Sequence, residues 1–284
     1  MAEGAEATRP VAVSAPGAVH ARRLSSMLVA PLYRLYTGRL RHEVRRALVP
    51  DHVAVILDGN RRWASEAGFS EAADGHRRGA DKVDELLDWC DDLGVGEVTI
   101  WALSGENLGR GGPELDALLE VVAAKLDALT HRAARPGRAM RIRVFGRFAG
   151  LPETLTRAIE QAEASTAANG GLRLNIALGY SGRDELVDAC RAMIATLAAE
   201  GVEAREMAEQ VTSDALAANL YTAGRPDPDL IIRTSGELRL SGFLPWQSAH
   251  SEFYFTDVNW PAFRELDFLR ALRTYQQRER RYGR

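Results

Sequence analysis

Beyond Pro50, short apolar segments alternate with longer amphipathic segments, and this alternation constrains the fold more than any other feature. The short segments are rich in β-branched residues, as buried strands are, and the longer ones have helical spacing. Strands are predicted at residues 53–57, 97–103, 141–145, 173–178, 230–233 and 253–256. Helices are predicted at 76–93, 113–131, 152–168, 182–200, 213–220 and 265–280. The pattern indicates an α/β fold with a single, mainly parallel sheet of about six strands surrounded by helices.

Composition limits the domain organisation and the class of partner. The 284 residues are 46% hydrophobic, which is enough for one large core. We predict a disordered tail at residues 1–22, which are rich in Ala, Gly and Pro, and a single domain at 23–284. A net charge of −3 argues against a nucleic-acid partner, so any anion site has to be local. Because the sequence has neither a membrane-span pattern nor a signal-peptide pattern, we expect a cytoplasmic protein.

An amphipathic helix is predicted at residues 25–48, inside this domain. Its apolar residues recur every four positions, at Leu28, Leu32, Tyr36, Leu40, Val44 and Leu48. Several arginines lie largely away from that stripe. One interpretation is a basic helix that lies on a membrane surface as a peripheral contact. The other, which we favour, is a helix packed on its own domain with a solvated basic face.

The segment at residues 52–63 joins a predicted buried strand to a polar loop. Asp58 ends the strand, and Gly59 lets backbone N–H groups approach a ligand closely. Arg61 and Arg62 add positive charge, whereas the Asp58 carboxylate can hold a hard cation such as Mg²⁺. A carboxylate beside several phosphate donors indicates a magnesium diphosphate. A tight turn with solvated arginines is the alternative.

Polar segments follow four of the predicted strands, at Asp58 and at residues 104–107, 179–183 and 233–241. In open parallel sheets, ligands bind outside the carboxyl ends of the strands. The four segments therefore predict one shared site, which no single loop would justify.

Five motifs in order resemble the cis-prenyltransferase family, also called the undecaprenyl diphosphate synthase family. They lie at residues 52–63, 75–76, 104–110, 233–241 and 246–256. The resemblance implies a Mg²⁺-dependent enzyme that couples isopentenyl diphosphate to an allylic diphosphate and makes a Z double bond. It also implies an apolar tunnel for the growing chain, and a homodimer in which C-terminal residues of one subunit can complete the partner's site.

The resemblance assigns the allylic diphosphate and its metal to the first two motifs. Asp58 matches the essential aspartate, and Glu252 matches a second metal-associated acid. The diphosphate would be held by Gly59, Asn60, Arg61, Arg62 and His76. Trp63 and Leu108 would wall the isoprenoid. The alternatives without a ligand are that His76 is structural, that Trp63 belongs to the core and that Glu252 is exposed at a strand edge.

The remaining motifs match family residues that bind isopentenyl diphosphate and residues that act in the proton-removal step. Arg233, Arg239 and Ser241, with Leu240 between them, would bind isopentenyl diphosphate, since guanidinium forks fit phosphate oxygens. Asn107 matches an asparagine implicated in proton removal. Asparagine is a poor base, so it would position substrate or relay a proton to a diphosphate oxygen. The rest of that motif, with substrate-binding roles, is Ser104, Gly105, Glu106, Leu108 and Arg110.

Departures from the family pattern bear on the product. The segment at residues 68–75 is one residue longer than in long-chain enzymes. This sequence lacks the family's diphosphate-binding arginine in that segment, and Glu71 or Ala72 stands near its position. The longer loop and the paired arginines resemble the short-chain Z,E-farnesyl diphosphate synthases of actinobacteria, which start from geranyl diphosphate. Ala102 is a contrary hint, because a small residue there leaves a deeper tunnel. A long-chain polyprenyl diphosphate synthase is the alternative.

A third hypothesis, a non-catalytic partner subunit, is disfavoured by the retained Asp58, Asn107, Arg233 and Arg239. A separate acidic pattern, Asp84-Glu-Leu-Leu-Asp88, weakly mimics the DDxxD box of trans-prenyltransferases. Without a second acid box, it is interpreted as a solvated helix face.

Overall fold

The structure, a computed structural model, describes residues 17–109 and 111–278, with side chains from residue 31 onward. In this part of the chain the strands are β1 (His52–Ile56), β2 (Glu97–Ser104), β3 (Met140–Phe145), β4 (Leu172–Tyr180), β5 (Leu230–Arg233) and β6 (Glu252–Phe255). They form one sheet in the order β3-β4-β2-β1-β5-β6. Each neighbouring pair is parallel, which confirms the predicted fold class.

The helices within the described residues connect these strands over the two faces of the sheet. They are α1 (Gly17–Arg45), α2 (Asn60–Glu66), α3 (Ala72–Leu93), α4 (Gly105–Leu108), α5 (Pro113–Ala133), α6 (Glu153–Thr166), α7 (Gly182–Ala199), α8 (Ala204–Met207), α9 (Ser213–Ala217) and α10 (Glu265–Gln277). Pro113 occupies the first turn of α5, and Gly94 ends α3 in the left-handed conformation. Both boundaries follow from local backbone chemistry.

One local prediction was wrong, and one helix is longer than predicted. The segment after Gly59 is not a loop, because α2 begins at Asn60 once Gly59 has turned the chain at φ 97°. The predicted tail at 1–22 also differs, since α1 begins at Gly17. Residues 18–30 contain neither glycine nor proline, so nothing local interrupts a helix there. The rest of the predicted tail, residues 1–16, lies outside the described residues.

The two faces of the sheet carry different apolar clusters, as expected from the two-residue alternation of strand side chains. Val53 and Val55 of β1 face the main core, which α3, α5, α6 and α10 complete. Ala54 and Ile56 face a smaller cluster around Tyr180. The larger core lies beneath α3 and α5, and these two helices also bound the candidate site.

Helix α1 packs on the domain in its C-terminal half. Leu40 and Val44 are fully buried, and the helix contacts α10. This supports the packed-helix interpretation for that half. Leu32 and Leu35, however, are 67% and 72% exposed, so the helix also presents apolar side chains to solvent. Among the described residues, no helix has both the length and the hydropathy that crossing a membrane requires.

Candidate active site

Asp58 stands just past the carboxyl end of β1, and a charged contact connects it to the end of β5. Its Oδ2 accepts a hydrogen bond from Nη2 of Arg233 at 2.8 Å, and its Oδ1 accepts one from the Gly59 N–H at 2.8 Å. Arg233 is almost fully buried, whereas 37% of the Asp58 side chain is exposed. The carboxylate is therefore held in a fixed orientation while it remains open to a ligand.

Gly59 is required where the chain turns from β1 into α2. Its φ is 97°, and a Cβ there would lie 2.4 Å from Oδ1 of Asn259 and 2.9 Å from Cβ of Ser235. A larger residue would displace both neighbours, so this glycine keeps the backbone at the site compact.

Asn60 begins α2, and two glycines of α3 make room for it. A Cβ on Gly75 would lie 2.2 Å from the Asn60 carbonyl oxygen, and one on Gly79 would lie 2.3 Å from Asn60 Oδ1. Asn60 Nδ2 donates to the Leu57 carbonyl at 3.1 Å. This contact explains why glycine precedes His76, because α2 and α3 meet here without intervening side chains.

Arg61 and His76 face the same carboxylate, Glu114 in the first turn of α5. Arg61 Nε lies 3.7 Å and His76 Nε2 lies 3.5 Å from Glu114 Oε1. Burial lowers the pKa of His76 below its ordinary value, and the Glu114 carboxylate opposes this shift only in part. The imidazole is therefore neutral near pH 7 and can donate one hydrogen bond. Sequence reasoning missed Glu114, which lies outside every motif.

Arg62 is anchored to the loop that follows β5. Its Nη1 donates to both the backbone oxygen and Oγ of Ser235, at 2.7 and 3.0 Å. Ser235 has a φ of 76°, which is unusual for a non-glycine residue. Such strain is often found at functional sites. The loop at residues 233–241 and the start of α2 therefore form one connected structure.

Arg233 also organises the segment predicted to bind isopentenyl diphosphate. Its Nη1 donates to Ser241 Oγ at 3.0 Å and to the Arg239 carbonyl oxygen. The Arg239 side chain is 67% exposed and pairs with Glu237, whose carboxylate also lies 4.0 Å from Arg62. Arg239 thus offers an accessible guanidinium beside a rigid, buried one.

Ser104 and Asn107 complete the mouth of the site from the end of β2. Ser104 caps the short helix α4, because its Oγ accepts a hydrogen bond from the Asn107 N–H at 3.2 Å. Both residues line the cavity described below. Gly105, Glu106 and Leu108 share α4 but do not line it, and Arg110 lies outside the described residues.

A cavity of about 440 Å³ runs from these polar groups into the space between α3, α5 and the sheet. Its mouth is polar, with the groups described above. Its inner wall is mostly apolar and includes Ala102, Leu118, Val121, Val122, Leu126, Leu129, Val83, Ile100 and Ile176. This shape fits a ligand with an anionic head and a hydrocarbon tail.

Arg239 does not line the cavity, and neither do three predicted apolar contacts, Trp63, Leu108 and Leu240. Trp63 stacks on Phe69, with ring centroids 5.5 Å apart, so α2 directs it away from the cavity wall. Leu240 packs against the smaller apolar cluster instead, and Leu108 packs against the main core. For each of these three apolar residues, an apolar partner within the fold takes up the side chain.

The predicted metal pair is not assembled within one chain. Glu252 lies at the amino end of β6, in register with Leu230 at the start of β5, whereas Asp58 lies beyond the carboxyl end of β1. Glu252 pairs instead with Arg278. Among the described residues, no three Asp, Glu, His or Cys side chains are grouped to hold a metal. Of the predicted metal pair, only Asp58 lies at this mouth in the part of the chain that the structure describes.

The acidic pattern on α3 is not a simple solvated face. Asp84 pairs with Lys125 of α5, and Arg132 of α5 lies 2.7 Å from Asp88 Oδ1. Arg138 also lies 2.6 Å from the Asp88 carboxylate. The two aspartates are half-exposed, and they join α3 to α5 beside the cavity. The sequence carries no signal for these pairs, because the partners are about forty residues apart.

Comparison with known proteins gives a consistent assignment. A family model described as "Putative undecaprenyl diphosphate synthase" matches residues 56–283. A (2Z,6E)-farnesyl diphosphate synthase of Thermobifida fusca is 51% identical over 90% of this chain and 99% of its own length. Isoprenyl transferase 1 of Corynebacterium diphtheriae is 50% identical over 88% of this chain and 93% of its own length.

A solved structure also matches the fold. The crystal structure of lavandulyl diphosphate synthase from Lavandula x intermedia, in complex with dimethylallyl diphosphate, aligns with a TM-score of 0.77. The two chains are 34% identical, and the alignment covers 83% of this chain and 99% of the lavender chain. These matches confirm the family predicted from the five motifs. The chain belongs to the undecaprenyl diphosphate synthase family of isoprenyl transferases.

Proposed function

We propose that this chain condenses isopentenyl diphosphate with geranyl diphosphate, with Mg²⁺, to give (2Z,6E)-farnesyl diphosphate. The observation that carries the proposal is one continuous cavity with anion-binding groups at its mouth and apolar walls behind them. The names of the relatives from Thermobifida fusca and Mycolicibacterium smegmatis, both (2Z,6E)-farnesyl diphosphate synthases, support the short product.

The allylic diphosphate would bind at the start of α2. Arg61 and His76 line the cavity and face Glu114, so they are available to donate to phosphate oxygens once the substrate replaces that carboxylate. The first N–H groups of α2 have no acceptor within the helix and add further donors. The apolar tail would then extend between α3 and α5.

Asp58 fits a Mg²⁺ ligand at this mouth. Its carboxylate is partly exposed and fixed by Arg233 and Gly59. Mg²⁺ in phosphate-transferring enzymes is commonly held by one or two carboxylates together with substrate phosphates and water. When bound, Mg²⁺ would stabilise the negative charge that develops on the departing diphosphate.

Isopentenyl diphosphate would bind on the other side of Asp58. Ser241 lines the cavity on this side, and the buried Arg233 fixes its hydroxyl. Arg239 lies two residues earlier with an exposed guanidinium, which would have to turn towards the substrate to bind it. Loss of the allylic diphosphate leaves an allylic cation, which bonds to the terminal alkene carbon of isopentenyl diphosphate. A proton then leaves that substrate. Asn107, at the mouth, would orient the reacting carbons and direct the proton to a diphosphate oxygen.

A homodimer and a membrane contact are further parts of this proposal. A single chain does not bring Glu252 to Asp58, so a metal role for Glu252 requires a second copy. Light scattering after size exclusion tests the dimer. The exposed Leu32 and Leu35, beside Arg34 and Arg39, support a peripheral contact with anionic lipid. Sedimentation with anionic vesicles tests this contact against neutral vesicles.

The central experiment is product analysis by mass spectrometry. The purified protein is given isopentenyl diphosphate with dimethylallyl, geranyl or farnesyl diphosphate, with Mg²⁺ or with a chelator. We expect geranyl diphosphate to be the best starter and a fifteen-carbon Z product to dominate. A main product of fifty to fifty-five carbons would instead establish the long-chain alternative.

A further inference from the structure

Lys125 places a cation in the wall of the otherwise apolar part of the cavity. It is one of only two lysines in the whole sequence, the other being Lys82. Lys125 lies one helical turn beyond Val121 and one turn before Leu129, and all three line the cavity. Its side chain is only 14% exposed. A lysine side chain is rarely buried among apolar residues unless its charge is paired, so its position in this wall is unusual.

The depth of Lys125 can be measured along α5. Glu114, in the first turn, lies beside the diphosphate-binding groups Arg61 and His76. Lys125 lies three helical turns further on, or roughly 16 Å at ~1.5 Å per residue. A farnesyl chain has about a dozen main-chain carbons joined by bonds of ~1.5 Å, so its extended length is roughly 15 Å. The ammonium therefore stands near the end of a fifteen-carbon tail.

An ion pair fixes the ammonium between the two helices of the cavity. Lys125 Nζ donates to Oδ2 of Asp84 on α3. Arg132 Nη1 lies 3.5 Å from the other oxygen of Asp84, so the carboxylate has partners on both sides. The lysine stem lies along the wall, and its charged end crosses from α5 to α3. A longer hydrocarbon would have to pass this charge or displace it, and either step is unfavourable.

We propose that Lys125, held by Asp84, determines product length by closing the deep end of the cavity to a fourth isoprene unit. The proposal rests on the proposed prenyl-transfer function and adds a specificity-determining residue to it. The five-carbon unit added after farnesyl would meet the paired ammonium instead of an apolar wall.

The test replaces Lys125 by methionine, which has similar length and no charge. We expect Lys125→Met to raise the share of products longer than the main wild-type product about tenfold, equivalent to ~1.4 kcal/mol in relative barriers. The ratio of kcat/KM for farnesyl over geranyl diphosphate should rise by a similar factor. Lys125→Arg keeps the charge and can reach Asp84, so it should retain the wild-type distribution.

Lys82→Met is the matched control. Lys82 is also buried and pairs with a carboxylate of α3, Glu85, at 2.6 Å, but it does not line the cavity. Its replacement should leave the product distribution unchanged. If Lys125→Met does not fold, Lys125→Gln is the second variant, since an amide can still donate to Asp84. A folded neutral variant whose product lengths and starter ratio both equal those of wild type would overturn the proposal.

Failure of the proposed function gives a different result. A wild-type protein that forms long chains would overturn both the farnesyl product and the role of Lys125, because its tail would already pass the ammonium, while prenyl transfer itself would stand. Absence of any prenyl transfer in wild type would disprove the function itself. In that case Lys125 could not determine product length, and the inference falls with it.

Discussion

Arg233 donates from Nη2 to Oδ2 of Asp58 across 2.8 Å, which joins the end of β5 to the end of β1. The motifs assign these two residues to different substrates, the aspartate to the allylic diphosphate and the arginine to isopentenyl diphosphate. The same guanidinium also donates to Ser241. The two proposed diphosphate sites would therefore share a wall, and we expect a change at one of these residues to affect the other.

This contact determines which variant tests Asp58. Asp58→Asn keeps an oxygen that can accept from Arg233 but removes the negative charge. We expect kcat to fall roughly 10²–10³-fold, as for loss of an electrostatic stabiliser, with a smaller loss of melting temperature than in Asp58→Ala, because the amide oxygen can still accept from Arg233. Steady-state kinetics and thermal unfolding measure the two quantities. Retention of more than half of the wild-type turnover would exclude the metal role.

Asp58→Ala serves as the contrasting variant. It removes the charge and also the oxygen that accepts from the almost fully buried Arg233. An unpaired buried charge is strongly destabilising, by about 3–5 kcal/mol. We therefore expect Asp58→Ala to lower the melting temperature as well as kcat. Equal stability of the alanine and asparagine variants would show that the hydrogen bond retained by asparagine does not stabilise the fold.

Arg239 provides a test of the isopentenyl diphosphate site. Its guanidinium is exposed and pairs only with Glu237 among the described contacts, so Arg239→Ala should preserve the fold. A hydrogen bond to a charged group contributes ~1.5–3 kcal/mol, so KM for isopentenyl diphosphate should rise about tenfold or more. KM for the allylic substrate should change less. Arg157→Ala, an equally exposed arginine paired with Glu153 on α6, is the control. An equal rise in both KM values would refute the assignment.

Gly79 tests the close contact between α2 and α3. A Cβ there would lie 2.3 Å from Asn60 Oδ1, so Gly79→Ala has to displace the first residue of α2. We expect a loss of about 1–3 kcal/mol in unfolding free energy and a fall of about 10–100-fold in kcat/KM. Gly38→Ala, in an exposed part of α1 with no atom within 4 Å, should be neutral or slightly stabilising. Wild-type kcat/KM in Gly79→Ala would contradict this account.

The sheet and the mouth of the site were accessible from the sequence because both depend on local signals. Strand runs such as Leu230–Arg233 are short and apolar, and a parallel sheet brings their carboxyl ends to one edge. Hence the sequence predicts that Asp58, Asn107 and Arg233 lie close together. Proline at the start of α5 and glycine at the end of α3 fixed helix boundaries in the same way.

The remainder depends on contacts between distant segments. Glu114 and Lys125 belong to no motif, and their roles appear only when α5 packs against α3. Glu252 was assigned to the metal from its motif, but strand register places it at the amino ends of the strands, whereas Asp58 lies beyond their carboxyl ends. Trp63 was assigned to the tunnel, yet the direction of its side chain is set by Phe69.

His52, the first residue of the same motif as Asp58, is buried at the amino end of β1, away from the cavity. Its two ring nitrogens lie 2.9 Å from the Pro226 carbonyl oxygen and 2.8 Å from the Thr99 hydroxyl. Because a carbonyl can only accept, the neutral ring carries its proton on Nδ1 and accepts from Thr99. Burial lowers the pKa of His52 below its ordinary value.

This lowered pKa predicts a pH-dependent stability. As pH falls below about 6.5, the unfolded state binds the proton more readily, so folded stability should decrease by up to ~1.4 kcal/mol per pH unit. We expect His52→Gln to be less stable than wild type at pH 7.5 and the difference to shrink at pH 5.5. Urea unfolding at both values measures this. A difference that is constant or larger at pH 5.5 would contradict the assignment.

Ala102 gives the last prediction, which concerns tail length from the sheet side of the cavity. It lines the cavity from β2, opposite the wall that α5 provides. Ala102→Leu adds three carbons to this space, and overpacking of an apolar tail costs about 1–3 kcal/mol. We expect kcat/KM with farnesyl diphosphate as starter to fall at least tenfold, while geranyl diphosphate is affected less. Any product beyond fifteen carbons should disappear.

The double variant Ala102→Leu with Lys125→Met shows whether the two walls act on the same tail. If Lys125 and Ala102 limit one hydrocarbon from opposite sides, leucine at 102 should block the tail whichever residue stands at 125. The double variant should then give the product distribution of Ala102→Leu alone, so the two effects will not add. Product lengths by mass spectrometry give the measurement. Additive changes would mean that the tail follows a different path, and unchanged starter preference in Ala102→Leu would remove β2 from the chain-length wall altogether.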